Sequence, residues 1–89
     1  MIVRVDKSFV KDTDKITNRK VLLKIAAAIE AIQKTDSLKE IKNLKKLKGY
    51  DGHYRIKFSE YRAGVIIRSN EIIFERFLHR KEIYRYYPK

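Results

Sequence analysis

The chain contains no cysteine, so neither a disulfide nor a thiolate-bound metal belongs to its chemistry. It has two histidines, His53 and His79. A zinc site would have to lean on carboxylates, and no pair of ligands stands at a zinc-like spacing. No metal or cofactor is expected. Long apolar runs are also missing, since nothing approaches the roughly 20 residues of a membrane-spanning helix. The opening MIVRVDKSF lacks the hydrophobic segment and cleavage site of a secretory signal, and a cytoplasmic protein is expected. Acidic side chains are scarce: 11 Asp+Glu stand against 22 Lys+Arg, a net charge of +11. Such an excess predicts association with polyanions and says nothing by itself about fold.

What is present suffices for one small domain spanning residues 1–89. Hydrophobic residues make up 44% of the chain, enough for a modest core and too many for a disordered tail. Met1 to Val5 reads as a strand and Lys7 to Ile16 as a short helix. Asn18 opens a stronger helix, because Leu22, Ile25, Ala26, Ile29 and Ile32 recur at helical spacing. That helix ends near Lys34-Thr35. Ser37-Leu38-Lys39-Glu40 matches a capping box, leading into one short helix and then a tightened or extended connection through Leu44 and Leu47. Gly49-Tyr50-Asp51-Gly52 is a turn by composition. From His53 to Leu78 the pattern is that of three antiparallel strands reversing at Ser59-Glu60 and Ser69-Asn70. The segment from Arg80 to Lys89 fits either a short helix or a fourth strand. The fold class is α+β: an N-terminal strand, a helical hairpin, and an antiparallel meander of three to four strands.

The most telling segment is Tyr54-Arg55-Ile56-Lys57-Phe58-Ser59-Glu60-Tyr61-Arg62. A hairpin turning at Ser59-Glu60 pairs Lys57 with Arg62 and Arg55 with Gly64. Like charges facing each other across a strand pair destabilise a sheet, whereas a bound polyanion rewards them. With a two-residue turn at Ser69-Asn70, Arg62 pairs with Phe77 and Gly64 with Glu75. One face then carries Arg55, Lys57, Arg62, Glu75, Phe77 and His79, with Ile66 and Ile73 beside them. The other carries Tyr54, Ile56, Phe58, Tyr61, Ala63, Val65, Ile67, Ile72, Phe74 and Leu78 as a core face, with Arg76 as its one misfit. A one-residue slip would exchange the faces.

The stretch LKKLKGYDGHYRIKFSEYRAGVII, followed by IIFERFLHRKEIYRYY, resembles the RelE/ParE superfamily of toxins from type II toxin–antitoxin pairs. The resemblance covers most of the chain and implies a RelE-like fold. Its RelE branch implies a ribosome-dependent endoribonuclease that cuts mRNA in the ribosomal A site by metal-independent transesterification. In the family pattern the paired basic positions of the first meander strand fall on Arg55 and Lys57. The arginine opening the second strand falls on Arg62, the one after the third on Arg80, and the C-terminal tyrosine on Tyr84. Lys45, Lys46, Lys48, Phe77 and Lys81 are the accompanying RNA contacts. Arginine stays protonated at neutral pH, so Arg55 is no base. Imidazole titrates close to neutrality, which makes His79 the preferred acid or base, with Lys57 as competitor.

The resemblance also implies a cognate antitoxin that wraps the basic face, with Ile66 and Ile73 as docking points. Operator DNA is then met only through the antitoxin complex, and no membrane is a partner. The alternative within the superfamily is a ParE-like, non-enzymatic toxin that binds and inhibits DNA gyrase. Plainer readings stand beside these. The lysines from Lys42 to Lys48 form a solvated face, His79 is a polar rim residue, and the C-terminal tyrosines pack the tail on the sheet.

Overall fold

Asn18 caps α2 (Arg19–Gln33), its side-chain oxygen accepting from the amides of Lys20 and Val21. Those amides are among the donors that a first helical turn leaves without partners. Behind the cap Val21, Ile25 and Ile32 form the buried stripe of the helix. They pack with Ala28 and Ile29 into a core shared with the sheet. The computed structural model describes residues 1–88. It places β1 (Ile2–Val5) and α1 (Lys7–Thr13) before α2, and β2 (Leu44–Lys46), β3 (His53–Phe58), β4 (Tyr61–Arg68), β5 (Glu71–His79) and α3 (Ile83–Tyr86) after it.

The sheet has five strands in the order β1-β5-β4-β3-β2. β1 runs parallel to β5, and the other pairings are antiparallel. The α+β class and the meander stand as expected: β2 to β5 are four antiparallel strands, and the N-terminal strand joins them in parallel, which makes the sheet mixed. β2 lies in the stretch read as a connection. Three residues have little strand character alone, and their ladder forms only once β3 lies alongside. The capping box is half made. Ser37 accepts from the Lys39 amide at 3.3 Å and starts a 3₁₀ turn, Leu38–Glu40, while the Glu40 carboxylate accepts from the Thr35 hydroxyl. In the C-terminal segment, left open between helix and strand, Ile83–Tyr86 form the single turn of α3, and Lys89 lies outside the described residues.

Register decides the faces. β3 and β4 pair as expected, Lys57 with Arg62 and Arg55 with Gly64. β4 and β5 also follow the two-residue turn from Arg68↔Glu71 to Val65↔Phe74, and then the register shifts so that Gly64 pairs with Arg76. Glu75 is the extra residue of a β-bulge, and every side chain after it changes face. Phe77 therefore enters the core, 1% exposed, instead of standing on the cationic face. It lies among Phe9, Phe58 and Tyr61, with the Tyr61 ring stacked on it at 5.2 Å. Leu78 takes the position across from Arg62, and His79 that across from Tyr61. Arg76, the misfit of the expected core face, leaves it.

The bulge sits where β5 loses its parallel neighbour. β1 ends at Val5, and the Asp6 amide makes the last contact, to the Phe74 carbonyl at 2.9 Å. Beyond it α1 replaces the strand with side chains. Ser8 donates to the Glu75 carbonyl at 2.8 Å, and the Asp12 carboxylate accepts from the Phe77 amide at 2.9 Å. Asp12 also holds Arg76 through two bonds, 2.8 and 3.1 Å; this bonding raises the Arg76 pKa further above its usual value. Asp12 is 7% exposed, so removing it would strand a guanidinium and a buried amide together.

Asp12→Ala is expected to cost about 3 kcal/mol of unfolding free energy. For a domain of this size that is a fall of roughly 12–24 °C in the thermal midpoint. Adding Arg76→Met should restore part of the loss, because it removes the unpaired charge. A fall of only a few degrees for Asp12→Ala would contradict the clamp.

Candidate functional site

Strands β2 to β5 send alternate side chains to the face away from α2, and these make the floor of the site. Across that face Lys45, Arg55, Gly64 and Arg76 lie in one row, and Lys57, Arg62 and Leu78 in the next. Above the rows is an open basin of about 790 Å³. It is lined by seven cationic residues, Lys45, Lys46, Lys48, Arg55, Arg62, Arg80 and Lys81, with Leu47 and Tyr84. Among the described residues no carboxylate lines it. Repulsion among so many cations opposes this assembly, and a polyanion relieves it.

Backbone carbonyls hold two of the guanidiniums. Arg55 Nη1 donates to the Asn43 carbonyl at 2.9 Å. Arg62 Nη1 donates to the carbonyls of Ser59 and Tyr61, each at 2.9 Å. A guanidinium has five N–H groups in a rigid fork, so donors remain for a phosphate. Arg80 is tied to the β3–β4 turn, its amide donating to the Glu60 carbonyl at 2.8 Å and its Nε facing the Glu60 carboxylate at 2.9 Å. That ion pair is exposed and worth at most about 1 kcal/mol, so a phosphate can compete for Arg80.

Arg55, Arg62, Arg80, Tyr84, Lys45, Lys46, Lys48 and Lys81, all expected at the site, line this one basin. Three others do not. Lys57 shares the face by register but lines a neighbouring groove between α2 and β3. Phe77 is buried in the core. His79 is carried by the bulge to the core-side rim, its ring edge-on to Tyr61 at 5.9 Å and its Nδ1 accepting from the Lys81 amide at 3.2 Å. The plainer reading of the C-terminal tyrosines, packing on the sheet, holds for Tyr87, but its seat on Gly64 was not read from the sequence. Ile83 and Tyr87 are 0% and 1% exposed, and the Tyr87 ring lies on Gly64. Burial pushes the Tyr87 phenol pKa well above its usual value. Gly64 itself was the available signal, because an isolated glycine inside a strand marks a bulge or a close approach. Both occur here.

Among the described residues, no group of three or more His, Cys, Asp or Glu side chains is placed to hold a metal. No helix among them is long and apolar enough to cross a membrane.

A small α+β domain with a cationic basin on its meander and an exposed tyrosine at the margin is the architecture of a RelE-like toxin. The family model described as "ParE toxin of type II toxin-antitoxin system, parDE" matches residues 3–84, and the chain belongs to that family, within the RelE/ParE superfamily. It is 42% identical to Toxin RelE3 of Methanocaldococcus jannaschii over 89 residues, 99% of this chain and 100% of that protein. The toxin–antitoxin complex RelB–RelE from Methanococcus jannaschii contains a chain that superposes with a TM-score of 0.82 at 39% identity, covering 96% of this chain and 99% of that one. The archaeal RelE–RelB complex from Pyrococcus horikoshii gives 0.72 at 17% identity, over 89% and 93% of the two chains, which shows the shared fold.

The basin should grip single-stranded nucleic acid mainly through phosphates. Its seven cations, at about 0.7 counterions released per phosphate, set a ceiling near −5 for the slope of log K against log salt. Arg62→Ala should lower the slope by about 0.7 whatever the oligonucleotide sequence, as read by fluorescence anisotropy. A slope unchanged by Arg62→Ala would place binding elsewhere.

Proposed function

We propose that this toxin is a ribosome-dependent endoribonuclease that cleaves mRNA in the A site and so stops translation. The observation that carries the reading is the convergence of Arg55, Arg62 and Arg80 with four lysines and Tyr84 in one basin. The reaction is a transesterification. The ribose 2′-oxygen loses its proton and attacks the adjacent phosphorus, the P–O5′ bond breaks, and the departing 5′-oxygen takes up a proton. The products are a 2′,3′-cyclic phosphate and a 5′-hydroxyl. The crowded phosphorane carries extra negative charge, and guanidinium forks aimed at it lower the barrier. Arg62 and Arg80, arriving from neighbouring strand ends, take that role, and Arg55 holds the phosphate from β3. Tyr84 stacks on a base and stands close to the reacting groups.

The proton transfers are assigned within the basin. His79, the preferred acid or base from the sequence, and its competitor Lys57 both lie outside the lining. The titratable groups that do line it are Lys45, Lys46, Lys48, Lys81 and Tyr84, and the proton relay belongs among them.

The occurrence of two relatives in toxin–antitoxin complexes, and the net charge of +11, support a cognate antitoxin of acidic or amphipathic character as partner. Operator DNA is reached through that complex. The family model's ParE description favours one second reading, inhibition of DNA gyrase without nuclease chemistry.

Primer extension on translated mRNA tests the first reading. Wild type should give A-site cuts, Arg62→Ala with Arg80→Ala should reduce them by more than about 100-fold, and His79→Ala should cut nearly as well as wild type. Undiminished cleavage by the double variant would remove the basin from the chemistry. Loss of supercoiling by purified gyrase at equimolar toxin would favour the second reading. Growth arrest on induction should be relieved by co-expressing the adjacent small gene, and failure of that product to bind the toxin would count against the antitoxin assignment.

A further inference from the structure

The geometry points to Tyr87 as a positioning residue: seated in the notch left by Gly64, it holds α3 so that Tyr84 stands over the basin. The inference rests on the endoribonuclease reading and deepens it. α3 is four residues long, a single turn that its own hydrogen bonds cannot stabilise in water. Its place must come from packing. Tyr84 supplies little of that, being 59% exposed. Ile83 and Tyr87, one turn apart, flank it and are 0% and 1% exposed.

The notch is specific. A Cβ built on Gly64 would lie 2.6 Å from Cγ of Tyr87 and 2.7 Å from both Cδ atoms, so only glycine admits the ring. Gly64 lies between Arg55 and Arg76 in the row across the face, which brings the ring down beside the basin floor. The Tyr87 hydroxyl then reaches two strands, sharing its single proton between the carbonyl of Tyr54 on β3, 3.0 Å away, and that of Val65 on β4. On the next strand the Arg76 guanidinium, held by Asp12, lies 5.3 Å from the centre of the Tyr86 ring. The last turn is thus fastened to β3, β4 and β5 at once. Tyr84, with Arg80 and Lys81 just before the turn, inherits its position from these contacts. Tyr87 itself lies outside the basin lining and acts through Tyr84.

The test uses the full chain with Tyr84→Ala, Tyr87→Ala, the double variant, Tyr87→Phe and Gly64→Ala. Tyr87→Ala should lower kcat on translated mRNA about 100-fold, as expected for a reacting group misplaced by about 1 Å. KM should change little, since the cationic lining is intact. Adding Tyr84→Ala to Tyr87→Ala should cause no further loss, because residues that act as a unit are not additive. Tyr87→Phe keeps the ring in its notch and should stay within about 10-fold of wild type. Gly64→Ala should reproduce Tyr87→Ala from the opposite side of the contact. Independent multiplying losses for Tyr84→Ala and Tyr87→Ala, or full activity in Gly64→Ala, would overturn the proposal.

Fluorine NMR of chains carrying 3-fluorotyrosine provides a readout without RNA. The Tyr84 signal should collapse to a narrow random-coil line in Tyr87→Ala while the Tyr61 signal stays dispersed. Should the wild type leave translated mRNA intact, the endoribonuclease reading fails and the fluorine signal decides the anchor alone. A Tyr84 signal unmoved by Tyr87→Ala would overturn it.

Discussion

The Asp12 carboxylate is the contact on which the rest of the molecule turns. It takes the Phe77 amide and the Arg76 guanidinium at the point where β5 has lost its parallel neighbour. A strand edge left open there would expose unpaired backbone groups to a buried environment, which is costly. Satisfying them from a helix instead of a strand is compatible with an extra residue in β5, and the bulge at Glu75 follows. Past the bulge the faces exchange. Phe77 completes the aromatic core with Phe9, Phe58 and Phe74, and Arg76 turns to the other side, where it lies against Tyr86. One carboxylate on a seven-residue helix thereby links the N-terminal segment to the C-terminal turn.

The basin shows the opposite balance. Its cations repel one another, and none of the lining residues neutralises them. The fold tolerates this because Arg55 and Arg62 are held by carbonyls of Asn43, Ser59 and Tyr61 and Arg80 by the Glu60 carboxylate, while the lysine ammoniums reach water from flexible stems. Stability is supplied elsewhere, by the apolar layer between α2 and the sheet. The division of labour between a helix-facing side that packs and an outer side that is strained by charge is what a phosphate-binding surface requires.

Much of the core could be read along the chain. Ile56, Phe58, Ala63, Val65, Ile67, Ile72 and Phe74 alternate as a half-buried strand demands, and all are buried. The Lys57↔Arg62 pairing followed from the two-residue turn at Ser59-Glu60, and the cationic side of Arg55 and Arg62 followed from it. The misplacement of Phe77 and His79 has one origin. Period-two reasoning carries a register forward until something interrupts it, and the interruption at Glu75 falls where β5 is bonded by α1, some sixty residues earlier in the sequence. β2 escaped for a related reason, since three residues become a strand only in the presence of β3.

Local pattern alone determined the elements other than β2 and α3, and the first hairpin's register, because these depend on neighbours within a few residues; composition gave the excess of positive charge. Tertiary structure decided which aromatic residues are core and which reach the basin, and where the last turn lies. Those outcomes depend on contacts between distant segments, Asp12 with Phe77 and Gly64 with Tyr87, whose energies exist only once the sheet has brought the partners together.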